Sequence, residues 1–144
     1  MTVHLIKLSV GVESVEHLSA LQQRRLQDAR RSGLGDRLWH QTRHMPRRAA
    51  ELLDGGSIYW VIKGAIRARQ RVCELEAVTD EEGTRRCRLI LIPGLTETVA
   101  WPRRPFQGWR YLEPADAPPD IGDAGADGEM PPEMAAELRA LGLI

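Results

Sequence analysis

Two stretches of this 144-residue chain bring aromatic and basic side chains together: Ile58-Tyr59-Trp60-Val61-Ile62-Lys63-Gly64-Ala65-Ile66-Arg67 and Trp101-Pro102-Arg103-Arg104-Pro105-Phe106-Gln107-Gly108-Trp109-Arg110-Tyr111. They hold six of the seven aromatic residues. Unpaired bases stack on aromatic or guanidinium planes, while Arg and Lys follow a phosphate backbone, so this mixture suits single-stranded or flipped nucleotides. The candidate nucleic-acid-binding set is Trp60, Lys63, Arg67, Arg69, Arg71, Trp101, Arg103, Arg104, Trp109 and Arg110. The competing reading is structural, with Trp60, Phe106 and Tyr111 as core and Arg103 and Arg104 on a loop. Pro102, Pro105 and Gly108 make 101–108 a rigid loop with few backbone donors, a segment type that often carries function on a β scaffold.

Other chemistry is sparser. Lys63 with Glu74 or Glu76 could act as acid and base on a nucleoside, although cross-strand charge pairing explains these residues more simply. His40-Gln41-Thr42-Arg43-His44 spaces two histidines as a zinc-protease helix does, with Gln where that motif needs its Glu. In the strand read here, residues 40 and 44 stand about 13 Å apart, too far to share one ion. Cys73 and Cys87 are too few for a disulfide framework and read as core filler. No nucleophile elbow, phosphate loop or dinucleotide fingerprint occurs, and nothing in the residues calls for a metal or cofactor.

The elements that must position these groups follow from periodicity. Val3 to Val10 alternates Val3, Leu5, Lys7 and Ser9 against an apolar-leaning face of His4, Ile6, Leu8 and Val10, which reads as a half-buried strand. Ser14 caps a helix over 15–31 in which Val15, Leu18, Leu21 and Leu26 recur at helical spacing, and Gly33 stops it. Leu38 to His44 predicts a strand, and Pro46 opens a short helix, Arg47 to Leu53, closed by Gly55-Gly56. Ser57 to Lys63 is a strand, Gly64 marks a bulge or close backbone approach, and Ala65 to Val78 is a long strand with Arg67, Arg69 and Arg71 on one face. The acidic turn 79–83 leads to a second arginine-bearing strand, Thr84 to Ile92, carrying Arg86 and Arg88. Thr96 to Trp101 and Gly108 to Leu112 complete a β-α-β-α order followed by four or five strands.

Charge divides along the chain. Residues 1–112 hold 19 Lys and Arg against 12 Asp and Glu, and residues 113–144 hold one against eight, so a formal net charge of zero conceals a basic body and an acidic tail. This asymmetry points the body toward anionic partners, with the tail as a competitor for the same surface. Eighteen of the 20 basic residues are Arg, a preference that fits phosphate contacts or a GC-rich genome. The expected organisation is one domain over 1–112, a Pro/Ala/Asp/Gly-rich linker over 113–130 and a short helix in 131–144. No run reaches the roughly 20 apolar residues of a membrane span, and the first residues lack signal-peptide character, so the expectation is a cytoplasmic protein without a membrane partner.

Met45-Pro46-Arg47-Arg48-Ala49-Ala50-Glu51-Leu52-Leu53-Asp54-Gly55-Gly56-Ser57, followed by Ile62-Lys63-Gly64-Ala65-Ile66 and Val72, resembles the helix, glycine turn and strands of PUA-like domains, particularly the ASCH branch. Separately, 55–64 and 103–111 resemble, across most of residues 1–118, an uncharacterised bacterial domain-of-unknown-function family, which is the closer resemblance. The PUA-like resemblance implies an α+β fold, a small mixed, partly closed β-barrel with two helices, and RNA binding or hydrolysis of modified nucleosides. Those hydrolases place a lysine just after the turn glycine, where this chain has Gly56 and Ser57. The reading is therefore an RNA-binding module, holding RNA or a nucleotide-like ligand. A nucleoside-processing hydrolase using Lys63 and Glu74 or Glu76, and a protein–protein interaction domain, stand as alternatives.

Overall fold

The computed structural model describes residues 1–33, 35, 37–104 and 106–121; the helix expected in 131–144 and the second half of the expected linker, 122–130, lie outside them. The element order is β1 (His4–Leu8), α1 (Val15–Arg31), β2 (Leu38–Thr42), α2 (Ala49–Leu53), β3 (Ser57–Ile62), β4 (Ala65–Thr79), β5 (Arg85–Leu91), β6 (Thr96–Pro102) and β7 (Trp109–Leu112). The protein is therefore mixed α+β. Among the described residues no helix is long and apolar enough to cross a membrane.

The long strand β4 is the spine. β3 pairs along one edge of its first half, while β6 and then β5 share the other edge. The sheet runs β2-β5-β4-β3-β1-β7, with β6 off this path on β4. β1 lies parallel to β3, an arrangement that needs the long connection through α1, β2 and α2. The expected partly closed barrel is corrected to a sheet not closed into a barrel: β2 and β7 end the path and share no ladder. The gap between β2 and the β1–β7 edge is bordered by α1, and it becomes the site described below.

Local chemistry accounts for the elements. The Ser14 side chain accepts a hydrogen bond from the His17 backbone N–H at 3.0 Å, capping α1, which buries Leu18, Leu26 and Ala29 against the sheet. Burying each leucine contributes about 1.5–3 kcal/mol. Gly64 does not mark a bulge. With φ of 82° beside Lys63 at 49°, it closes a two-residue hairpin of the type that needs two left-handed residues, and the bulge falls instead at Trp60/Val61. Gly56 answers a different need: a Cβ there would lie 2.2 Å from the Leu52 carbonyl oxygen and 2.4 Å from that of Val3.

Apolar residues fill both faces of the central strands. The main core holds Leu5, Leu18, Leu26, Leu38, Ile58, Trp60 and Leu89, and a second cluster on the opposite face holds Ile6, Tyr59, Val61, Ile66 and Leu112. β1 is thus covered on both sides, where alternation predicted a half-buried strand. The second cluster is roofed by Phe106 and by residues 113–121, which form a 3-10 turn over Pro114–Asp116, bury Pro118 and bridge Asp120 to Thr98.

One polar device bolts α1 to the sheet inside the main core. Gln22 Nε2 donates to Gln70 Oε1 at 2.7 Å and Gln70 Nε2 donates to Gln22 Oε1 at 3.0 Å. Gln70 also donates to the Ile92 carbonyl at 3.0 Å and accepts from Trp60 Nε1 at 3.3 Å. Two buried amides so connected leave no polar atom of their own unsatisfied.

Candidate functional site

The residues singled out from sequence do not converge. Arg67, Arg69 and Arg71 do share the face of β4 opposite Ala68, Gln70 and Val72, as alternation requires. Their charges are largely spoken for. Arg69 makes two hydrogen bonds to the Asp120 carboxylate at 2.7 and 2.8 Å and a third to Ser57 Oγ at 3.2 Å, and Arg67 donates to the Ile62 carbonyl. Arg86 pairs with Asp80 at 3.1 Å, and Arg88 lies near Glu76 while stacking 4.8 Å from the Trp39 ring. Lys63, at the β3–β4 hairpin, pairs with Glu13. Glu76 pairs with Arg37. Lys63 and Glu74 are eleven residues apart along the chain, a contour of roughly 35 Å in strand conformation, so the lysine–glutamate pair of the hydrolase alternative is not assembled.

The aromatic candidates also separate. Trp60 is buried in the core, Trp101 sits half-buried on β6 opposite Ile66, and Arg110 lies over the Phe106 ring at 5.6 Å. Arg71, Arg103 and Arg104 are exposed. Cys87 is buried as expected of core filler, whereas Cys73 is exposed on β4, with its thiol donating to the Ile90 carbonyl. Among the described residues no group of three or more His, Cys, Asp and Glu side chains comes together.

What does converge lies at the gap in the sheet. On β1, Lys7 stands between Trp60 of β3 and Trp109 of β7, its register partners on either side, so the three side chains form a row across three strands. On β2, His40 sits edge-to-face on Trp60 with ring centroids 5.3 Å apart. A cavity of about 180 Å3 opens between β1, α1 and β2, lined by Lys7, Ser9, Gln22, Arg25, His40 and Trp60 among others. It far exceeds the roughly 10–15 Å3 that lodges one water.

Two residues that line this cavity each carry a buried polar atom without a hydrogen-bond partner among the described residues: Ser9 Oγ and His40 Nε2. Lys7 and Arg25 border the same space, and neither makes an ion pair among the described residues. Burial lowers the pKa of Lys7. Burial also drives His40 down to about 4, helped by the positive charges of Lys7 and Arg25, so the imidazole is neutral near pH 7. Two larger hollows share lining residues with this cavity. One of about 500 Å3 runs along α1 and β2 past Arg25, Asp28, Arg37 and His40. Another of about 590 Å3 lies between β2 and the β7 turn, past Lys7, Arg43, His44, Gln107 and Trp109.

Two cations, a hydroxyl and a neutral imidazole around one small space can hold an anion: the cations supply charge, and Ser9 and His40 supply hydrogen bonds that currently go unmade. The price of leaving such atoms buried and unpaired, about 1–3 kcal/mol each, is what a ligand or ordered water recovers. Of these residues, only Trp60 and Trp109 belong to the set read from sequence. The missed signal was phase. Lys7 and Ser9 alternate in step with Val3 and Leu5, His40 with Leu38, and Gln22 and Arg25 fall on the Leu18/Leu26 stripe. Lys7, Ser9, Gln22 and His40, polar and at least half-buried on these rows, had to meet something other than a core, while Arg25 beside them is exposed.

Set against known proteins, the family model described as "Protein of unknown function (DUF1489)" matches residues 5–144. No curated protein and no solved structure matches the chain.

Proposed function

We propose that this chain, which belongs to the DUF1489 family of proteins of unknown function, binds a small anion in the cleft between β1, α1 and β2. The observation that carries this reading is the coincidence of Ser9 Oγ and His40 Nε2, both buried and unpartnered, with Lys7 and Arg25 around one cavity of about 180 Å3. Among the described residues no carboxylate lines that inner cavity; Asp28 borders the neighbouring hollow along α1. An anion entering there meets positive potential in a partly desolvated space, where charge–charge attraction is several times stronger than in water.

Calorimetric titration of the full chain with inorganic phosphate tests the reading. Saturable binding of one phosphate per chain, weakened about tenfold by Lys7→Gln and by Arg25→Gln, is the expected result, since loss of one charge-assisted hydrogen bond is worth about 1.5 kcal/mol or more. Absence of saturable binding, or binding indifferent to both substitutions, would refute it.

A second reading keeps the RNA-binding module inferred from sequence and its PUA-like resemblance. Its support is that Arg71, Arg103 and Arg104 are exposed and make no ion pair among the described residues. It expects single-stranded RNA affinity to fall with salt by a slope of about −0.7 per phosphate contacted, and the slope to flatten in Arg103→Ala with Arg104→Ala. A salt-insensitive or undetectable interaction would dismiss it.

A further inference from the structure

Two compartments of the cleft share one lining residue. Lys7 borders both the inner cavity of about 180 Å3 and the outer hollow of about 590 Å3 by the β7 turn. Their linings differ in kind. The inner one sets the two orphaned hydrogen-bonding groups and two cations without ion pairs among the described residues into a lining that is otherwise mostly apolar; the outer one presents Trp109 amid polar Arg43, His44 and Gln107. Trp109 is half-buried and held edge-to-face by Tyr111 at 5.0 Å, which fixes the indole where it lines the hollow. Gly108, with φ of 71°, makes the tight turn that brings Gln107 and Trp109 to the rim. Arg43 and His44 add two more planar groups, exposed and without ion-pair partners among the described residues.

From this division we infer that the ligand of the cleft is a phosphate ester carrying a planar ring, with its phosphate in the inner cavity and its ring in the outer hollow beside Trp109. The inference rests on the anion-binding reading above and adds the ligand's chemical class. A phosphate fits the inner compartment better than a carboxylate does. Two cations match a dianion, and the four polar groups, Lys7 of β1, Ser9 just after it, Arg25 of α1 and His40 of β2, match the four oxygens of a phosphate and outnumber the two of a carboxylate. The outer hollow has the volume of an ordinary small-molecule site and an indole wall against which a ring can stack. Nucleoside monophosphates are one member of the class, and simple aryl phosphates are another.

Titrating the full chain with inorganic phosphate, phenyl phosphate and phenol separates the two compartments. Phenyl phosphate should bind about tenfold or more tightly than inorganic phosphate, the gain of one stacked ring. In Trp109→Leu that advantage should vanish while the affinity for inorganic phosphate stays, which also shows that the variant is folded and its inner cavity intact. Equal affinity of phosphate and phenyl phosphate for the native chain would overturn the ring compartment and leave the anion reading standing. Loss of both affinities together in Trp109→Leu would assign Trp109 a structural role and overturn the inference likewise. Failure of every phosphate to bind, or binding of phenol as tightly as phenyl phosphate, would remove the anion reading and the inference with it.

Discussion

Replacing Gln70 by Leu removes the hub of the amide pair that ties α1 to the sheet. Three buried polar atoms and one partly buried one lose a partner at once: both ends of the Gln22 amide and Trp60 Nε1, and the Ile92 carbonyl. At about 1–3 kcal/mol for each group left unsatisfied, with Gln22 partly rescued by water from the cavity it lines, the loss is about 3–4 kcal/mol. Gln22→Leu is milder, about 1–2 kcal/mol, because Gln70 keeps one donor bond to Ile92 and one acceptor bond from Trp60. The double variant leaves only Trp60 Nε1 and the Ile92 carbonyl unpaired, so it should be more stable than Gln70→Leu alone by about 1 kcal/mol. Urea unfolding of the four proteins completes a double-mutant cycle that measures this coupling. A double variant destabilised by the sum of the two single losses would refute the reasoning, since it would mean the two amides act independently.

Gly56→Ala should cost about 3 kcal/mol or more in thermal unfolding, because its Cβ meets two backbone carbonyls, whereas Gly11→Ala, with φ of 78° in open space, should cost only about 1–2 kcal/mol. His40, held near 4 when folded, is ordinarily half-protonated near 6.5. The unfolded chain therefore takes up a proton that the folded chain refuses. Stability from this residue is complete above pH 6.5 and falls toward pH 4, by at most about 3 kcal/mol, and His40→Gln should remove that slope from a series of melts. Asp120 adds stability with the same pH sign from a different cause: Arg69 holds its carboxyl below the ordinary value, so the contact is present above that value and lost as pH falls through the depressed one. Asp120→Asn should cost about 1–3 kcal/mol at pH 7, and a variant as stable as the native chain at pH 7 would contradict the pairing.

Much of the fold was legible because its signals are local. Ser14, the leucine spacing and Gly33 fix α1 over 15–31, and the strict alternation of Arg67, Arg69 and Arg71 with Ala68, Gln70 and Val72 announces β4. The meaning of those arginines was not legible. The carboxylate that occupies Arg69 comes from Asp120, fifty-one positions away, in a Pro- and Ala-rich stretch that composition assigns to a linker. The open sheet was likewise hidden, since nothing in β2 or β7 states which strand each will meet. The candidate site shared this fate: Lys7, Arg25 and His40 lie on three different elements and come together only because β1 pairs with β3 while β2 crosses to β5. Their common trait, polar side chains in the core phase of their own elements, was present in the sequence but could be read as ordinary exceptions to patterning.

Nitrogen-detected NMR of the four histidine rings during addition of inorganic phosphate at pH 7 tests the central claim most directly, because it watches the orphaned atom itself. The anion-binding account predicts that the His40 Nε2 resonance moves and saturates at one phosphate per chain, with His4 and His17 unmoved. A His40 signal that stays in place while exposed His44 alone drifts without saturation would contradict it.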